Sequence, residues 1–246
     1  MNKRTLVLPI LSMLVLSACS SLYMPNVPNT PMLSSAGELN ASGHISLRGN
    51  VSLNSAYAVS DNFGVILNGA FINRDQRKKD FSQTMLEMGG GYFTTFGPDN
   101  NRIFEIYGGV GRGKSERIYN KESSNGSPLL ERQEMVFSKG FIQVNYSSKK
   151  QNDLRLFGKK FPLNYGTAIR GSYLNMKKFK IDNATQPFED NIFIEPVFFT
   201  RMQVSDAFQL QYTTGSNFGL KNRDYLTAAN SVFSLGFVLN VGGLKK

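Results

Sequence analysis

His44 lies between Ser42 and Ser46 at two-residue spacing, and these are the residue types from which a hydrolase builds a nucleophile and its general base. Neighbours on one face of a strand stand roughly 7 Å apart, too far for a direct hydrogen bond, so no catalysis is expected from them. One histidine and one cysteine in 246 residues cannot supply a zinc site, and neither a metal nor a cofactor is expected. Gly109-Val110-Gly111 opens no helix and is a weak phosphate cradle. Two sets of charges are more informative. Glu87, Glu105 and Glu195, with Lys139, Arg170 and Arg201, fall at inward-facing positions of predicted strands, three acids against three bases. Buried together they would form a salt-bridge network that plugs a lumen, or less simply a selectivity ring in a small pore. Arg74, Arg77, Lys78, Lys79, Lys177, Lys178, Lys180, Lys221 and Arg223 fall instead in predicted connections, where they would clamp anionic phosphates, dock a partner or form a solvated rim.

The elements that position these residues are strands. From Glu38 to Phe71 the chain alternates with period two: Leu39, Ala41, Gly43, Ile45 and Leu47 share one face, and Glu38, Asn40, Ser42, His44 and Ser46 the other. After Arg48-Gly49-Asn50 and again after Asp61-Asn62 the pattern resumes, with Ile66 and Ile72 intruding on the polar face. That polar face is Ser, Asn, Ala and Gly rather than Lys and Glu, which suits the crowded lumen of a narrow barrel with lipid outside. Further strands are predicted near 83–96, 102–113, 133–146, 164–175, 191–204, 207–214 and 231–241. The expected fold is all-β: a closed antiparallel transmembrane β-barrel of about ten strands, eight being possible, formed by residues 38–246. Short connections alternate with long ones, so the long loops share one side. Gly89-Gly90-Gly91 and Gly108-Gly109 should face each other and ease curvature, with Tyr92, Phe93 and Tyr107 filling the space. Pro196 predicts a local bulge.

Residues 1–18 read as a signal peptide, with Lys3 and Arg4, an apolar run from Leu6 to Leu16, and Leu16-Ser17-Ala18 before Cys19. Cys19 is the expected lipidation site, and residues 19–37, with Pro25, Pro28 and Pro31, are the expected extended lipidated linker. Loss of Lys3 and Arg4, with no acid, lowers the formal charge from +10 to +8. For a secreted, lipidated chain this favours outer-membrane lipid and lipopolysaccharide as partners and not nucleic acid.

Tyr23, Pro25, Asn29 and Pro31 leading into Gly37-Glu38, Ala56-Tyr57-Ala58, Glu87 with Gly89-Gly90-Gly91-Tyr92, Tyr107-Gly108-Gly109-Val110-Gly111 and Glu195-Pro196 resemble the outer-membrane β-barrel proteins and lipoproteins common in the Bacteroidetes. The resemblance implies fold and location more than activity. It also implies an anchor in the periplasmic leaflet, because Ser20-Ser21 lacks the acidic run that marks surface display in such bacteria. The expected role is a non-enzymatic structural or accessory component of the envelope, alone or as a subunit of a larger outer-membrane complex. A lipid-anchored soluble periplasmic barrel binding an apolar ligand is the alternative, followed by a narrow pore or a lipid-modifying barrel enzyme.

Overall fold

The computed structural model describes residues 21–76, 79–122, 128–156, 158–227 and 232–242. Ten strands close a single antiparallel barrel: β1 (Leu39–Ser46), β2 (Val51–Ala58), β3 (Phe63–Arg74), β4 (Lys79–Phe96), β5 (Arg102–Glu122), β6 (Pro128–Leu156), β7 (Lys159–Ile181), β9 (Asp190–Gln203), β10 (Phe208–Gly215) and β12 (Val232–Val241). Two-residue strands β8 (Ala184–Thr185) and β11 (Phe218–Gly219) extend β7 and β9. Each long strand pairs with its sequence neighbour, and β12 returns to β1 in register from Leu39↔Val241 to Ser46↔Ser234. The barrel therefore closes without a free edge strand. Tight turns at 59–62, 97–101 and 204–207 lie at one end, with the junction of β6 and β7 and the end of β12. The longer connections, at 182–189 and from 216 onward after β10, lie at the other, here called the loop end.

The period-two pattern sorts as anticipated. Leu39, Ile45, Leu53, Val65, Leu67 and Phe71 point outward, whereas Asn40, Ser42, His44, Asn54 and Asn68 are buried inside. The apolar face turns out, opposite to what a soluble ligand-binding barrel would need. Ile66 and Ile72 face inward and pack there, buried. Tyr57, Phe63, Tyr92, Phe104 and Tyr146 form an exposed aromatic girdle near the turn end. Tyr92 thus points away from the lumen that it was expected to fill, because alternation gives the inward position to Phe93.

Two local expectations are corrected. β5, β6 and β7 run beyond the predicted ends, because cross-strand pairs such as Arg132 with Glu116 (2.6 Å) and Lys178 with Glu134 (3.2 Å) sustain a ladder where charge on both faces reads as loop. Pro196 makes no bulge and pairs in register with Ile169. Its carbonyl accepts from Ser216 N–H at 3.1 Å, so its missing donor faces the break between β10 and β11, where no ladder bond is lost. The register shifts lie between β6 and β7 instead: Lys177 of β7 is skipped between the pairs Val136↔Lys178 and Phe137↔Met176, and the pairing slips again between Ser148↔Tyr165 and Asn152↔Leu163.

The largest correction concerns residues 19–37. The described part of this expected linker lies inside the barrel: Leu22, Tyr23, Val27, Met32 and Leu33 are buried, as are Asn26, Asn29 and Thr30. An extended chain was expected, and an extended chain is present. Its surroundings are the lumen wall, not solvent. Pro25, Pro28 and Pro31 suit that place, since each removes a backbone donor from a segment that has no strand beside it to accept one.

The two glycine clusters face each other as expected, Gly89↔Gly109 and Gly90↔Gly108. They admit aromatic rings rather than a ligand. A Cβ on Gly109 would lie 2.4 Å from Met88 O and 2.5 Å from Phe141 Cζ, and one on Gly113 2.4 Å from Phe137 Cζ. Gly109→Ala should therefore cost about 1–3 kcal/mol by overpacking. Gly140→Ala, with nothing within 4 Å of its Cβ, should stay within about 0.5 kcal/mol of the parent in urea titrations of the folded barrel.

Candidate functional site

The lumen is layered. At the loop end Leu22, Tyr23, Met135, Phe137, Leu174, Phe179, Phe193 and Leu226 form an apolar cluster; toward the turn end Leu33, Ala56, Ala58, Ile66, Phe93, Tyr107 and Phe141 form a second. Between them lie four of the six charges singled out in the sequence. Lys139 Nζ donates to Glu87 Oε1 at 2.7 Å, and Arg170 Nε to Glu195 Oε2 at 2.5 Å. Arg170 also reaches Glu87 at 3.5 Å, and Lys139 lies 3.9 Å from Glu195. Their side chains are essentially inaccessible. Charges so deep are tolerable only when paired and further hydrogen-bonded.

The additional bonds come from the threaded segment. Tyr23 hydroxyl donates to Glu195 Oε1 at 3.1 Å and accepts from Lys139 Nζ at 2.9 Å. Asn26 Nδ2 donates to Glu87 Oε2 at 3.0 Å, while its own side-chain and backbone oxygens accept from Arg170 Nη2 at 2.8 and 3.0 Å. Tyr23 and Asn26 are thus members of the network, and nothing in a proline-rich stretch announces that.

Glu105 and Arg201 do not join this cluster and form no ion pair among the described residues. Glu105 accepts from Tyr107 hydroxyl (3.1 Å), Asn145 Nδ2 (3.0 Å) and Leu33 N–H (3.2 Å). Arg201 donates to Gln211 Oε1 (2.6 Å), Pro31 O (3.3 Å) and the Thr30 carbonyl. Elsewhere, amide and hydroxyl side chains of the wall replace the missing strand partner. Gln83 pairs with both backbone groups of Met24, Asn50 donates to Pro25 O, Ser52 and Asn54 bind Val27, and Gln143 and Asn145 donate to Asn29 O. Neutral amides both donate and accept, so they satisfy a backbone without adding charge to be neutralised. A polar cleft of about 330 Å³ opens toward the turn end, bordered by Asn40, Asn164, Arg201, Gln209 and Asn240.

His44 and Ser42 meet after all. The imidazole spans the strand spacing and its Nε2 lies 3.1 Å from Ser42 Oγ. The other nitrogen, which an acid would have to orient, packs against Gly236, where even a Cβ would come within 2.3 Å of Nδ1. Among the described residues that nitrogen has no hydrogen-bond partner, so no acid orients the imidazole in this arrangement.

Of the basic residues predicted in connections, only Lys221 and Arg223 lie in one among the described residues: Arg74 ends β3, Lys79 opens β4, and Lys177, Lys178 and Lys180 belong to β7, which runs past its predicted end; several of them hold partners. Lys221 and Arg223 bind Asp190 at 2.5 and 2.7 Å, and Glu189 accepts the backbone N–H groups of Asp224, Tyr225 and Leu226. Hydrogen bonds from Lys221 and Arg223 hold the Asp190 carboxyl, on the rim, down to about 2. These bonds fold residues 216–227 into a lid that places Leu226 against the apolar cluster around Leu22. Lys178 binds Glu134, Lys177 is exposed, and Arg74, Lys79 and Lys180 are half-buried. Cys19, Arg77 and Lys78 lie outside the described residues.

No family model matches the chain, and no curated protein does. Among solved structures it is similar to the translocator domain of the autotransporter NalP from Neisseria meningitidis, at 10% identity over 85% of this chain and 86% of that one, with a TM-score of 0.46.

Proposed function

We propose that this chain is a non-enzymatic outer-membrane barrel lipoprotein, a structural or accessory component of the bacterial envelope whose lumen is closed by its own N-terminal segment. One observation carries this reading: residues 21–33 fill the bore and complete its buried charge network, which removes the path that a pore would need. The outward apolar belt and the aromatic girdle support insertion in a bilayer, with the longer loops outside and the tight turns in the periplasm. Exposed Lys177 and partly exposed Arg74 and Lys180 suit lipopolysaccharide phosphates at the outer rim. A barrel with no route of its own through the membrane suits a wall or docking subunit of a larger outer-membrane complex. The purified full chain should show a heat-modifiable folded band in detergent gels and no single-channel steps in planar bilayers. Steady, reproducible steps would sink this reading and favour the narrow pore.

A further inference from the structure

The direction in which residues 21–37 cross the barrel decides where the chain emerges. At one limit Leu22 N–H donates to Tyr225 O in the lid at 2.9 Å, and Arg117 donates to the Ser21 carbonyl. At the other, Ala36 N–H donates to Asp61 Oδ1 in the β2–β3 turn at 3.0 Å, and Gly37 N–H to Ala58 O at 2.9 Å. Between these limits the contacts run in order down the wall: Met24 with Gln83, Val27 with Ser52 and Asn54, Asn29 with Asn68, Leu33 with Glu105. The segment therefore enters at the loop end and leaves at the turn end.

We propose that the chain preceding Ser21 lies on the loop side of the membrane, opposite the C-terminal end of β12, so that the protein carries its N-terminus at the cell surface. The word "surface" rests on the orientation proposed above; the shared side of N-terminus and loops does not. A length argument decides against the other leaflet. Cys19 lies two Cα steps before Ser21, a reach of about 7 Å when fully extended, whereas the apolar belt of such a barrel is about 25 Å tall. The bore offers no way back, since residues 21–33 already occupy it. An acyl group on Cys19, as implied by Leu16-Ser17-Ala18-Cys19, would then sit in the loop-side leaflet. This reverses the periplasmic placement expected from Ser20-Ser21. It also makes the segment a staple, held by lid contacts at one end and by covalent continuity with β1 at the other.

The test places one epitope at three positions of the full chain, expressed in an outer-membrane-bearing host: between Ser20 and Ser21, in the lid at 221–224, and in the turn at Pro98–Asn100. Antibody should bind the first two on intact cells and the third only after permeabilisation. An N-terminal epitope protected while the lid epitope is accessible overturns the inference. If the turn epitope alone is accessible, the proposed orientation falls, while the shared side of N-terminus and lid stands. Because an insertion can obstruct threading, Ser20→Cys with a membrane-impermeant maleimide supplies a smaller probe. Labelling of intact cells to the level reached after permeabilisation is expected, and labelling only after permeabilisation would again overturn the inference.

Discussion

Glu87→Ala is expected to destabilise the folded barrel by about 3–5 kcal/mol, the cost of leaving buried charge without its partner. Glu87 is the acceptor on which the centre of the lumen converges: Lys139 at 2.7 Å, Arg170 at 3.5 Å, Asn26 at 3.0 Å and Asn68 at 3.2 Å. Its removal leaves two buried cations to share Glu195, and Lys139 lies 3.9 Å from that carboxylate. Truncation also withdraws an acceptor from Asn26, loosening the threaded segment together with the wall. Lys177, on the outer rim, is exposed, and Lys177→Ala should change stability by no more than about 0.5 kcal/mol. Urea titration of the refolded barrel in lipid vesicles measures both. Adding Lys139→Ala to Glu87→Ala should restore part of the loss, because the double variant removes the stranded cation as well. A Glu87→Ala barrel within about 1 kcal/mol of the parent would mean that water reaches and solvates the network.

The wall was legible in the sequence because a strand exposed to lipid on one side and to a crowded lumen on the other must alternate. Leu53 with Asn54 declares its faces through residue type and parity together, whereas Tyr92 and Phe93 are both aromatic and parity alone sends Tyr92 out and Phe93 in. The four paired charges were legible for a related reason: acids and bases at inward parity have only one another to neutralise them. The occupant of the bore was not legible. Pro, Ser and Asn compose solvated linkers, and they equally suit a chain whose backbone must be satisfied by side chains instead of a ladder. Leu22, Tyr23, Val27, Met32 and Leu33 were the available signal, being more apolar side chains than a linker in water requires. The second signal lay in the wall itself, where Asn50, Asn54, Gln83, Gln143 and Asn145 supply more inward amides than the strands need for one another. The Ser42–His44 contact is not legible from Cα spacing, because the reach of the imidazole decides it.

Deleting residues 22–33 should convert a silent barrel into a conducting one. Ten strands make a bore modestly wider than the eight-stranded barrels that side chains fill on their own, and here the additional space is taken by an extended chain. The closed ladder from β1 to β12 supplies the wall's backbone hydrogen bonds without help from that chain, so the wall should survive its loss. Between the two apolar clusters the deletion exposes a polar stretch of wall: Asn50, Asn54, Gln83, Asn145 and Arg201 all lose partners on the segment. Water enters a cavity lined in this way and stays. The Glu87–Lys139 and Glu195–Arg170 pairs remain but lose Tyr23 and Asn26, so some stability should go with the segment, visible as folded-band loss at a lower temperature in heat-modifiability gels. Planar-bilayer recordings on the folded variant should show discrete steps absent from the full chain, with Glu87, Glu195, Lys139 and Arg170 lining the path. If the variant keeps its folded band and stays silent, the wall side chains seal the bore by themselves, and the threaded segment is a tether rather than the barrier.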